Sequence, residues 1–184
     1  MPSGIAPLIE TKRLRLRGFL ASDLDAQAAM NADARVVRYA GGQRLSREES
    51  WRRLLAGVGL WEVLGYGLWA VERKEDGLFL GNVGFFDYKR DMTPSIEGQP
   101  EIGWFFAVHA HGKGYASEAV AAALAWADDA LAGQEIVAII DGDNAASIRV
   151  AKKAGFALSG DADYKGDIVL LYRRMAGAVT AAST

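Results

Sequence analysis

The sequence predicts a single-domain α/β protein built on a mixed sheet. Three observations carry this. Short alternating or apolar runs read as strands. Stretches with apolar residues at helical spacing read as helices. The two kinds interleave along 184 residues with no linker and no internal repeat. Apolar residues make up 51% of the chain, enough to bury a sizeable core.

Arg13 to Arg17 (RLRLR) alternates strictly and reads as a strand. A helix opens at Ser22 and carries Leu24, Ala28 and Met30. Residues 46–49 (SREE) form a capping box: Ser46 caps and Glu49 reaches back. The helix behind it places Trp51, Leu54, Leu55, Val58 and Trp61 on one face, and GYG at 65–67 breaks it. Leu68 to Arg73 and Leu78 to Phe86 are strands joined by the turn KEDG. The polar segment 87–100 is long for a hairpin loop, and such loops are commonly functional or mobile. Glu101 to Val108 (EIGWFFAV) is a strand buried on both faces, and a helix follows its turn to about Leu131. Glu135 to Ile140 is another buried strand. Asn144 to Ala154 is a helix closed by Gly155. Phe156 to Leu158 and Ile168 to Arg173 complete the sheet. The domain is expected to span 1–175, with 176–184 (AGAVTAAST) as a flexible tail.

Composition excludes several functions. A net charge of −2 with acids and bases intermixed lacks the basic footprint of a nucleic-acid binder. There is no cysteine, hence no disulfide framework, thiolate zinc site or cysteine nucleophile. Two histidines, His109 and His111, do not build a histidine-rich metal site. The opening MPSGIAPLIETKR has no apolar leader core, and no run approaches the ~20 apolar residues of a membrane span. The expectation is a cytoplasmic protein without metal, nucleic-acid or membrane partners.

The most informative stretch is HGKGYASEA, residues 111–119. It links a strand to a helix whose first N–H groups have no internal partners and sit at the positive end of the dipole. Gly112 and Gly114 let an anion approach both amides, and Lys113 adds charge at the rim. A pyrophosphate suits such a turn, although a tight turn with an exposed lysine reads the same way. A Walker A loop is excluded because Gly114 follows Lys113. A GxGxxG dinucleotide loop is excluded because Ser117 occupies the third glycine position. Asp141, at the tip of the next strand, keeps a nucleotide-binding module in view. A second constellation, NAASIRVAKKAGFAL, places Asn144 and Ser147 on one face of the next helix. An N-cap asparagine and a glycine stop explain Asn144 and Gly155 separately. They do not explain why both follow a phosphate-type turn.

Together, EIGWFFAVHAHGKGYASEAV and DNAASIRVAKKAGF resemble the coenzyme A motifs of the GNAT acyltransferases, especially the RimJ/RimL-like branch. That branch includes enzymes acetylating ribosomal-protein N-termini. The resemblance covers nearly the whole chain, with ETKRLRLRGFLASDLDAQ and GYGLWAVERKEDGLFLGNVGF as its opening strand and central hairpin. It implies a largely antiparallel sheet flanked by helices, with a splayed strand pair holding acyl-CoA. It implies that backbone amides of His111, Gly112, Lys113, Gly114, Tyr115 and Ala116 hold the pyrophosphate. His111 departs from the family's usual Gln, Arg or Trp. Phe106, Ala107 and Val108 would pair with the pantetheine arm, Asn144 would bond it, Ser147 would face the thioester and Lys153 would reach the nucleotide phosphates. The partners implied are acetyl-CoA and an amine acceptor, a small molecule or a protein N-terminus. The resemblance also allows a homodimer.

Acetyl transfer needs a free amine, a polarised thioester and a stabilised leaving thiolate. Glu101, at the start of the coenzyme strand, is the candidate base; a solvated strand-end carboxylate is the other reading. Polarisation is assigned to a backbone N–H at Phe106 or Ala107. The family's usual tyrosine position holds Val150 or Ala151, so Ser147 is the nearest hydroxyl, against a hydroxyl that merely bonds the preceding turn. Tyr172 is a weaker alternative. Two other functions compete with an N-acetyltransferase: a nucleotide-binding module using the same turn, and a non-catalytic acyl-CoA sensor.

Overall fold

The computed structural model describes residues 5–177. In chain order its elements are β1 (Ile9–Glu10), β2 (Leu14–Arg17), α1 (Leu24–Ala32), α2 (Ala34–Val37), α3 (Arg47–Leu64), β3 (Leu68–Arg73), β4 (Phe79–Phe86), β5 (Met92–Thr93), β6 (Glu101–Phe106), α4 (Tyr115–Ala130), β7 (Glu135–Ile140), α5 (Ala145–Lys153), β8 (Ala157–Tyr164) and β9 (Asp167–Met175). The strands make one nine-stranded sheet, ordered β1-β2-β3-β4-β6-β7-β9-β8-β5. Every neighbouring pair is antiparallel except β6 with β7. The mixed, mostly antiparallel sheet with flanking helices is therefore the fold that forms.

Side-chain alternation divides β6 between two layers. Ile102 and Phe106 pack with Val120, Ala123 and Leu124 of α4. A fully buried side chain such as Val120 contributes about 1.5–3 kcal/mol. Glu101, Gly103 and Phe105 take the opposite face, where Met30 of α1 covers Ala70, Phe79 and Ala107. Further along that face, Met92 and Ile96 cover Val137 and Leu171.

That second cover comes from segment 87–100. It is anchored as a strap: Met92 and Thr93 pair with Tyr164 and Asp163, adding β5 to the far edge of the sheet. The Ser46–Glu49 capping box forms as expected, with the Ser46 N–H donating to Glu49 at 2.7 Å and the Glu49 N–H to Ser46 at 3.2 Å. The α3 face is different. Ser50, Leu54, Gly57 and Trp61 turn inward while Leu55 and Val58 stay exposed, because α3 buries only a narrow stripe. The first helix begins at Leu24, after a 3₁₀ turn over Ala21–Asp23. The strand expected to reach Val108 stops at Phe106. Val108–Ala110 form a 3₁₀ turn, the N–H groups of Ala110 and His111 returning to the carbonyls of Ala107 and Val108. Polar residues 159–164 join β8 through a hairpin whose Lys165 and Gly166 are both left-handed (φ 59° and 87°). Ala176 is buried and its N–H donates to Gln134 at 2.9 Å, so the expected tail is held at its first residue; 178–184 lie outside the described residues. No described helix is long and apolar enough to cross a membrane.

Candidate active site

The sheet opens at its one parallel joint. β6 and β7 are in register only at Glu101 and Val137, where the Val137 N–H donates to Pro100 at 3.0 Å. The Ala107 N–H donates to Leu80 of the β4 side at 2.8 Å, which fixes the phase of the antiparallel ladder. The N–H groups of Trp104 and Phe106 consequently point towards β7. On β7 the pairing with β9 likewise leaves the backbone of Ile139 facing β6. None of these groups has a strand partner among the described residues. The Phe106 carbonyl does have one: His111 donates its Nε2–H to it at 2.8 Å. Ala107 is thereby excluded as a donor into the gap, and Phe106 is the one left. The Val108 carbonyl accepts the His111 N–H within its own turn.

Both strands run from the gap into helix N-termini. After β6, Gly112 and Gly114 adopt φ of 72° and 77°, a conformation that favours glycine and turns the backbone N–H groups outward. The amides from Gly112 to Ser117 find no acceptor of good geometry among the described residues. Tyr115 buries its ring in the core and so offers only its N–H. His111 and Lys113 are exposed, and Ala116 is half-buried. Arg13 braces the turn: it donates to the Lys113 carbonyl at 2.9 Å, pairs with Glu118 at 2.6 Å and lies 4.6 Å above the Tyr115 ring. Nothing local in the sequence connects residues so far apart.

After β7, Asn144 caps α5, its Oδ1 accepting the Ser147 N–H at 3.0 Å. Its amide NH₂ and the half-buried Ser147 hydroxyl have no protein partner among the described residues. Lys153 is exposed at the far end of α5, roughly 13 Å along the axis from the cap. Ala151 has no hydroxyl to offer, and Tyr172 is a buried core residue.

Glu101 stands where β6 and β7 meet, and it is only 5% exposed. The solvated strand-end reading is therefore wrong. Arg90, from the strap, donates to both its oxygens at 2.6 and 3.0 Å and also donates to the Tyr164 hydroxyl at 2.8 Å. Burial pushes the Glu101 carboxyl up, with Arg90 pulling the other way. Gly103 admits the Phe86 ring, which a Cβ would meet at 2.8 Å. Phe86 stacks on Tyr88 at 4.4 Å, and Arg53 of α3 lies 5.0 Å over the Phe105 ring. Sequence reasoning missed Arg53, Arg90 and Tyr88, which join the site only through tertiary packing. Trp61 is sealed in the core, its indole N–H donating to the Leu68 carbonyl at 3.0 Å. A separate cleft of about 490 Å³ lies between α1–α2 and the turn after β6, lined by Met30, Asp33, Arg35, Phe79, Ala107 and Val108 among others.

Comparison with known proteins agrees with this geometry. The acetyltransferase (GNAT) domain family matches residues 13–157. The chain is 28% identical over 155 residues to YoaA, an uncharacterized N-acetyltransferase of Bacillus subtilis, covering 84% of this chain and 85% of YoaA. It is 41% identical over 99 residues to the uncharacterized YkkB of the same organism, a match spanning 52% of this chain and about half (54%) of YkkB. The structure of an acetyltransferase from Agrobacterium tumefaciens aligns with TM-score 0.79 and 25% identity, covering 92% of this chain and 94% of that one. RimL, a ribosomal L7/L12 α-N-protein acetyltransferase in complex with coenzyme A, shares the fold at TM-score 0.74 and 22% identity, covering 94% and 99%. An unzipped parallel strand pair, a run of open amides and a family match across most of the chain converge: this protein belongs to the GNAT family of N-acetyltransferases, whose acyl donor is acetyl-CoA.

Proposed function

We infer that this protein acetylates a primary amine, the N-terminal α-amine of a peptide or protein, by direct attack in a ternary complex. The observation that carries the donor side is the run of open amides from Gly112 to Ser117 beside a strand edge with unpaired N–H groups. Coenzyme A suits that pair of features, since its pyrophosphate needs donors and its pantetheine amides need a strand-like partner.

Bound acetyl-CoA supplies a thioester open to attack by a free amine. The turn amides hold the pyrophosphate end, with Lys113 at the rim. Trp104 and Ile139 offer backbone groups to the pantetheine arm, and the Asn144 NH₂ offers another. The Phe106 N–H is the donor available to polarise the acyl carbonyl. Glu101, clamped by Arg90, accepts the proton of the incoming ammonium, directly or through a water. An α-amine, with a pKa near ~8, needs little help at neutral pH. Ser147 O–H is the proton donor available to the leaving sulfur. The α-amine preference is supported by the likeness in fold to RimL and by the RimJ/RimL-like motifs.

The test is calorimetric titration with acetyl-CoA, NAD and ATP, followed by thiol release on amine panels. Binding of acetyl-CoA alone and turnover of N-terminal peptides is expected. Binding of NAD or ATP with silence from acetyl-CoA overturns the donor assignment. Turnover of polyamines but not peptides overturns the acceptor assignment.

A further inference from the structure

Arg53 is the one arginine among the described residues that is not exposed and yet has no hydrogen-bonding partner. Other inward-turned arginines are matched to carboxylates: Arg17 to Asp23, Arg90 to Glu101 and Arg174 to Asp128. Its neighbour Arg52 pairs with Glu48 on the exposed side of α3. Burial and the nearby Arg90 both work against the Arg53 charge, burial the more strongly. A guanidinium stays protonated regardless. Its charge therefore rests against the Phe105 ring face, with no carboxylate paired to it among the described residues.

Its surroundings say what would offset it. Arg53 lies over Phe105, the residue before Phe106, whose N–H opens into the gap. On the same face stand Arg90 and Glu101, but the Glu101 charge is paired with Arg90. Asp87 is likewise occupied, by Lys89 and by the Gly98 N–H. Arg53 is thus the cation on this face without a paired carboxylate, a planar group over an aromatic ring. A guanidinium so held keeps its N–H donors, which lie in its own plane, for a planar anion.

We propose that Arg53 binds a carboxylate on the amine acceptor, so that the substrates are amines carrying an acidic group near the amino group. This rests on the acetyl-transfer reading and narrows its acceptor. Two sources offer that chemistry: an acidic side chain among the first residues of a peptide, and the α-carboxylate of a free amino acid.

The test uses matched pairs. Peptides with glutamate or glutamine at the first, second or third position are compared, and free serine is compared with serinamide. Each pair is assayed by thiol release, and by calorimetric binding to the protein saturated with coenzyme A. The acidic member of one pair is expected to win by about 10- to 100-fold, as a charge-assisted bidentate contact allows. Which pair responds identifies the source. Arg53→Met should erase the preference and Arg53→Lys retain part of it, with acetyl-CoA affinity unchanged in both as the check on folding. If no acidic member is preferred, or if the preference survives in Arg53→Met, the proposal is wrong. Turnover of amines without acid preference sinks the proposal and leaves the transferase reading intact. Arg53-dependent binding of acids without turnover of any amine does the reverse.

Discussion

Arg90 holds both carboxylate oxygens of Glu101, at 2.6 and 3.0 Å, at the position where β6 and β7 are still in register. The clamp places a buried carboxylate at the closed end of an otherwise open strand pair. It fixes the orientation of Glu101 and opposes the upward push of burial on its carboxyl.

If Glu101 accepts the ammonium proton, it must be ionised to act. Its limb in a plot of kcat/KM against pH should lie above the ordinary carboxylate value of ~4.3, with activity lost as pH falls through it. Glu101→Gln should remove this limb and lower kcat by about 100-fold. Arg90→Met removes the opposing pull, so its limb should move to higher pH. An unshifted Arg90→Met profile would falsify the role given to the clamp.

Asn144 separates two jobs on one side chain. Its Oδ1 caps α5 while its NH₂ is open. Asn144→Ser keeps a good cap and loses the NH₂ donor. The melting temperature should hold while acetyl-CoA affinity drops by about tenfold. Calorimetry and a thermal melt of the same sample decide it; equal affinity returns Asn144 to capping alone.

Gly114→Glu puts a carboxylate among open amides at a left-handed position. Acetyl-CoA affinity should fall by well over tenfold. Gly133→Glu is the control, since Gly133 has a similar φ of 80° but lies at the far end of α4. It should lower stability through the same backbone strain and leave affinity alone.

Asp128 ties the end of β9 to α4, accepting from buried Arg174 at 2.7 and 2.9 Å and from the Gly177 N–H at 2.8 Å. The Arg174 contact leads in holding the Asp128 carboxyl below its usual value. A depressed folded-state value makes this contribution to stability present above ~3.9 and lost as pH falls through the lower, folded value. Asp128→Asn should cost about 1–3 kcal/mol in denaturant unfolding near neutral pH, less than a fully buried pair because Asp128 is partly exposed. The difference from the parent should shrink on acidification; a gap that is constant with pH sinks this account.

Much of the fold was legible because its signals are local. LWAVER and EIVAII are strands over the predicted residues, since short apolar runs next to turn residues leave few alternatives. The glycine turn and the capping box follow from φ preference and side-chain reach. β8 was not legible beyond its first residues, because SGDADY faces mostly outward and is held by pairing with β9 and by the strap. The coenzyme side of the candidate site was read from contiguous motifs. On the acceptor side only Glu101 was: Arg53 and Arg90 come from a helix and a strap, and only the packed sheet brings them to that strand. The exclusion of Ala107 as a donor depended on ladder phase, which no single strand reveals.

The opening between β6 and β7 also bears on motion. One rung joins the two halves of the sheet along that joint, so the unpaired amides of Trp104, Phe106 and Ile139 have little to protect them from exchange with solvent deuterium. A bound coenzyme would complete the missing rungs. The joint is then a seam that the substrate itself closes, and slowed exchange at these three residues would report its closing one hydrogen bond at a time.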